Sequence, residues 1–97
     1  MFNSWTGTSL LRAALNKLTP ENWTQDGDFR EYNEITDVEK VCIVGMCANI
    51  LNTSDEDAEN FLKMQGLPVH QIEKANDEAL NLVKFEMALR DKLGIAF

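Results

Sequence analysis

A calcium loop places oxygen ligands at alternate positions, with a glycine at the sixth and a bidentate glutamate at the twelfth. Counted from Asn22, Thr24 and Asp26 fill the early positions, Gly27 falls sixth and Phe29 eighth, but the twelfth residue is Asn33 and Glu34 stands one place too late. Without that carboxylate the cage lacks its strongest ligand, and the stretch reads as a solvated acidic turn. The only histidine, His70, follows Pro68-Val69. A zinc site takes about four ligands, usually with cysteines paired at short spacing. Cys42 and Cys47, the only cysteines, lie inside the apolar run Val41 to Ala48. On a helix they would sit roughly 140° apart around the axis, so they cannot bridge each other within it. They read as reduced, buried, small hydrophobes, and His70 as a surface or helix-end residue. No metal and no cofactor is expected.

Other chemistries fail on spacing. General acid-base catalysis needs two carboxylates converging in a pocket with separated pKa values, and nothing in the order of the acids compels that. Gly45 has no neighbouring glycine and no Lys-Ser or Lys-Thr after it, so there is no phosphate loop. Thr53-Ser54-Asp55 lacks the Asp-Ser-Leu that acyl carriers use to receive their prosthetic group. No catalytic residue is expected, and the chain reads as non-enzymatic.

The elements that would position these residues are mainly helical. Leu10, Leu11, Ala14, Leu15 and Leu18 recur at the spacing of one helical face. They predict a helix from Ser9 to Leu18, capped by Thr8 or Ser9 and stopped by Thr19-Pro20. Trp23 is expected to fold back onto it. Residues 24 to 35 have no helical period, contain Asp26-Gly27 and carry Phe29 and Tyr32; the loop leaves room for a small β-hairpin. Thr36-Asp37-Val38-Glu39 has the form of a capping box and predicts a helix from Asp37 to Leu51. That helix is apolar on nearly every side and should be the buried centre of the fold. A buried strand is the competing reading of its Val and Ile content, and Gly45 would admit a close neighbouring helix. Ser54 followed by Asp55, Glu56 and Asp57 starts a third helix. Its Ala58, Phe61, Leu62 and Gln65 share a face, and Gly66 ends it. From Val69 a short helix, a break at the cap-forming Asn76-Asp77 and a C-terminal helix are expected; a continuous helix through Asn76 is the alternative.

With 97 residues and 44% apolar content, a single helical domain over 1–97 is expected to fold. The fold class read here is all-α, a compact bundle of four to five short helices around the buried central helix, with or without the hairpin. A net charge of -7 repels nucleic-acid phosphates and anionic membrane surfaces. No apolar run is long enough to cross a membrane, and no basic region precedes an apolar stretch at the N-terminus. A cytoplasmic protein that touches neither nucleic acid nor membrane is expected.

The acids Asp26, Asp28, Glu31 and Glu34, with Asp55, Glu56, Asp57 and Glu59, are the candidate partner-binding residues. Together they would form one negative surface that orients and accelerates encounter with a basic partner; two separate solvated faces are the plain alternative. Phe2, Trp5 and Phe97, near the termini, either close the core or mark a surface for self-association.

Leu10-Leu11-Arg12-Ala13-Ala14 leading to Trp23-Thr24-Gln25, then Cys42-Ile43-Val44-Gly45, then Ile72 with Asn76-Asp77, resemble a family of small bacterial and phage proteins catalogued as a domain of unknown function. The resemblance covers residues 10 to 92. Ala75 stands where that family's pattern has a tryptophan, which puts the surrounding pocket in doubt. The resemblance implies no activity. It implies that Trp23 anchors the core, that Cys42 and Gly45 pack on the central helix and that Asn76-Asp77 cap between two helices.

Elimination leaves a non-enzymatic acidic protein-interaction module, of the kind a phage-type inhibitor of a host protein would be. Two alternatives stand beside it. One is a small-ligand or enzymatic site where Trp23, Cys42, His70 and Asn76-Asp77 converge; the other is a structural homo-oligomer.

Overall fold

In the computed structural model of the protein, which describes residues 4–97, the first helix starts earlier than Thr8. Thr6 is extended, its hydroxyl accepts from the Ser9 amide at 3.1 Å, and the Ser9 hydroxyl accepts from the Thr6 amide at 3.0 Å. This reciprocal cap starts α1 (Gly7–Lys17), with Ser9 as its third residue rather than its cap. Leu18 is extended ahead of Thr19-Pro20, so the helix stops where proline predicts. Leu10, Leu11 and Ala14 are fully buried.

The capping box at Thr36 is not used. The Asn33 side chain accepts from the amides of Ile35 (2.9 Å) and Thr36 (3.2 Å), and Asp37 adopts φ 55°, so a tight turn stands where a helix start was expected. The turn joins β1 (Arg30–Asn33) to β2 (Val38–Val41), paired antiparallel with Arg30 opposite Val41 and Asn33 opposite Val38. The hairpin anticipated within 24–35 therefore exists, but its second strand comes from the residues assigned to the central helix. Local pattern allowed both outcomes, and the side-chain turn bonds of Asn33 together with the β-branched Val38 and Val41 favour the strand. On the far side of Val41, its amide donates to the Asn22 carbonyl (2.7 Å) and its carbonyl accepts from the Thr24 amide (3.0 Å). The strand is thus held from two directions.

The central helix is accordingly shorter: α2 (Ile43–Leu51), capped by Cys42, whose sulfur accepts from the Gly45 amide at 3.4 Å, and closed by Asn52 in the left-handed conformation. Every residue from Val41 to Ala48 is buried, and α2 packs against α1, β2, α3 (Asp55–Met64) and α4 (Val69–Glu78). Gly45 does admit a close neighbour, although not a helix. A Cβ there would lie 2.5 Å from the Phe29 carbonyl oxygen, the same oxygen that accepts from the Cys42 amide at 2.9 Å. α3 begins at its Ser54 cap and ends before Gly66, which takes φ 82°.

α4 runs unbroken through Asn76 and Asp77, and the break comes at Ala79 to Asn81. Asn81, not Asn76, caps α5 (Leu82–Asp91), accepting from the Lys84 amide at 2.9 Å. Phe85 and Leu89 of α5 are fully buried. Trp5 and Phe97 pack on the core, with the Arg12 and Arg90 guanidinium groups 6.0 and 5.5 Å from the Phe97 ring centre; Phe2 lies outside the described residues. The described residues are mostly helical with one two-stranded hairpin, and none of their helices is long and apolar enough to cross a membrane.

Candidate functional site

The two acidic segments are joined by a cation between them. Arg30, at the start of β1, donates through Nε to Asp55 at 2.8 Å and through Nη2 to the other oxygen of the same carboxylate. Its Nη1 reaches Glu39 of β2 at 2.8 Å, a diagonal cross-strand pair. Nη2 also reaches the Gly45 carbonyl (3.3 Å) and the Asn49 side chain (3.2 Å). One guanidinium therefore ties the hairpin to α2 and to the first turn of α3. The hydrogen bond that Arg30 donates to Asp55 raises its pKa further; burial works against this, and the negative charges of Asp55 and Glu39 add to it. Such two-pronged pairing with carboxylates is what arginine's planar fork suits.

Below that tie lies a cleft of about 270 Å³, lined by Gly27, Asp28 and Phe29 of the loop, Cys42, Glu59 of α3, and Glu73 and Asp77 of α4. Four carboxylates thus face one small space. Glu59 has one cation, Lys63, at 3.7 Å. Burial, then the hydrogen bond and charge of Glu59, push the Glu73 carboxyl up to about 8, with Asp77 adding to the shift and Lys63 opposing it. Near neutral pH Glu73 therefore favours its protonated form, because burial and the neighbouring carboxylates disfavour its charge. At the loop edge the same crowding recurs, where the hydrogen bond and charge of Asp26 raise the pKa of Glu31.

Joined to the cleft through Asp77 is a buried polar centre. Asn76 is fully buried; its Oδ1 accepts from Trp23 Nε1 at 2.8 Å and from the Ile43 amide at 3.0 Å, and its Nδ2 donates to the Thr24 carbonyl at 3.0 Å and to Asp77 Oδ1 at 3.0 Å. Asn76 is not a cap between α4 and a following helix, as the sequence suggested. It caps the first amide of α2 from outside and holds Trp23 in place. Trp23 is buried and stacks on Phe85 of α5, ring centres 5.8 Å apart.

Of the predicted partner-binding residues, Asp28 and Glu59 meet at the cleft, Asp26 lies against Glu31, and Asp55 is bound to Arg30. Asp57 accepts from the Thr53 hydroxyl at 3.2 Å, and its amide donates to Ser54. Glu34 sits exposed in the hairpin turn and Glu56 exposed on the first turn of α3, neither lining the cleft. The sequence reading missed Arg30 as the tie and Glu73 and Asp77 as cleft carboxylates. The i, i+4 spacing of Glu73 and Asp77 was visible, but only the packing of α4 against α3 brings them to Glu59. Of the residues expected around a pocket, Cys42 and Asp77 line the cleft, Trp23 and Asn76 form the polar centre, and His70 is largely exposed and does not line the cleft, although its Nδ1 is 3.4 Å from Glu73.

Burial raises the pKa of the Cys42 thiol to about 11 and that of Cys47 further still, so neither is a thiolate nucleophile at neutral pH. Among the described residues no three His, Cys, Asp or Glu side chains are placed to hold a metal ion. Comparison with protein-family models, with curated proteins and with solved structures yields no match.

Proposed function

We propose that the protein is a non-enzymatic interaction module that receives a basic element of a protein partner on its acidic face. The observation that carries the reading is the juncture of segments 26–31 and 55–59, tied by Arg30 to Asp55 and facing each other as Asp28 and Glu59 across the cleft. Carboxylates crowded into one cleft repel one another, and an incoming Lys or Arg relieves that repulsion while gaining its own pairing. Glu73 makes the reading specific. The groups around it are Glu59 and Lys63 of α3, Asp77 and His70 of α4, and Asp28 of the loop. A cation entering this set lowers the pKa of Glu73, so binding near pH 7 releases a proton and tightens as pH rises toward 8. An inhibitor of a host protein is one form such a module takes. Membership of the domain-of-unknown-function family remains part of the proposal and adds no activity to it.

A lysine- and arginine-rich synthetic peptide titrated into labelled protein tests this directly. Amide shifts are expected at residues 26–31, 55–59 and 73–77, with proton release in calorimetry that depends on buffer ionisation. Shifts scattered evenly over the surface, or binding without proton release, would contradict it.

A second reading, a small cationic ligand in the same cleft, is favoured by its four carboxylates around a volume of about 270 Å³. That volume lies just below the usual range of small-molecule sites, about 300–1,000 Å³, and a simple diamine that displaced the peptide would support this reading.

A further inference from the structure

We infer that the groove between α4 and α5 is a second docking site, separate from the acidic face, and that it takes an amphipathic helix of a partner protein with acidic residues flanking its apolar stripe. The groove encloses about 600 Å³, and its apolar lining includes Leu80, Met87 and Leu93, with Ala75 and Ala88 keeping its floor low. Leu80 is 83% exposed and Met87 45% exposed, which gives an apolar helix face something to cover. Unbranched methionine adapts to varied partner shapes, and anchors at i, i+4 and i+7 of a helix suit such a groove.

The groove is preformed. Gln25 Nε2 donates to the carbonyls of Asn76 (3.0 Å) and Ala79 (2.7 Å), which fixes the end of α4, and the Asn81 cap fixes the start of α5. On α4, the groove residues Gln71, Lys74, Ala75 and Glu78 are centred roughly 130° around the axis from Glu73 and Asp77. One helix thus presents different faces to the two sites.

Charge selects the occupant. Lys74, Lys84 and Lys92, half of the six lysines in a chain of net charge -7, border this groove. None of the three is within 4.0 Å of a carboxylate oxygen among the described residues, whereas Lys63, Arg30 and Arg90 all have acidic partners. Glu78 and Asp91 also border the groove, leaving a local excess of positive charge on an otherwise acidic molecule. That excess complements an acidic partner and disfavours the basic one proposed for the other face.

The test is selection of a displayed library of designed helices on the full chain. The helices are about 16 residues long, enough for several turns, apolar at i, i+4 and i+7, with the end positions randomised among Glu, Ser and Lys. Glu-ended helices are expected to be enriched and to bind at least tenfold more weakly to Leu80→Asp and to Met87→Glu. Lys74→Glu with Lys84→Glu is expected to reverse the preference toward Lys-ended helices, while Asp28→Lys leaves affinity unchanged. The altered side chains are exposed or half-exposed, and unchanged melting of each variant verifies that the fold is intact. Enrichment of Lys-ended helices by the unaltered chain, no enrichment at all, or binding indifferent to Leu80→Asp would overturn the inference. So would a self-associated chain that Met87→Glu turns into a monomer, since a second copy would then be the occupant.

Discussion

Asn76 shows how much one buried side chain decides. It supplies the acceptor for Trp23 Nε1 and for the first amide of α2, and a donor for the Thr24 carbonyl. Asn76→Ala leaves three buried polar groups without a partner, at about 1–3 kcal/mol each. A loss of about 3–5 kcal/mol in a urea titration is expected, while Trp23→Phe, which keeps an aromatic ring against Phe85, loses far less. Equal losses for the two would show that packing rather than hydrogen bonding governs this centre. Glu73 gives the second prediction at this scale. Its folded pKa, about 8, lies above the ordinary 4.5, so the folded chain binds the proton more tightly than the unfolded one. Its contribution to stability is complete below pH 4.5 and is lost as pH rises through 8. Glu73→Gln should therefore melt above the unaltered chain at pH 8.5 and show a flatter profile between pH 5 and 8. A flat profile in the unaltered chain would contradict the assignment.

At the scale of elements, the close seat of Gly45 against the Phe29 carbonyl joins the hairpin to the central helix. An added methyl group at 2.5 Å from that oxygen forces the backbone apart, and Gly45→Ala is expected to cost about 1–3 kcal/mol. Amide exchange should quicken in 29–33 and 38–42 before it does in α1; uniform quickening would argue against a local clash. The same region marks the limit of what was legible in sequence. The face of α1, the Ser54 start of α3, the Gly66 end and the burial of Val41 to Ala48 all follow from periodicity and cap chemistry, which are local. Thr36-x-x-Glu39 met the local rule for a helix start and was overridden by the Asn33 turn and by pairing with β1. Asn76 looked like a cap because caps and buried polar hubs use the same residue, and only its distant partners distinguish them. The eight acids were legible as a charge excess; the approach of Asp28 to Glu59 was not, because it accompanies an arginine tie between residues 25 apart, nor was that of Glu73 to Glu59, which needs α4 packed on α3.

The molecule as a whole presents two surfaces of different polarity. An acidic cleft and a lysine-bordered apolar groove occupy different faces of α4, on a fold tied together by Arg30, Asn76 and a small hairpin. Asp55 belongs to the fold as well as to the charge excess, so charge reversal there would break the pair with Arg30 and confuse the two roles. Asp28, Glu31 and Glu56 are exposed and outside that pair. The most direct test of the acidic face is affinity capture from lysate at low and moderate salt, with the unaltered chain and an Asp28→Lys, Glu31→Lys, Glu56→Lys variant of verified fold compared side by side. The account predicts a stoichiometric basic protein partner that weakens with salt and disappears with the variant. A partner retained by the variant and insensitive to salt would contradict it.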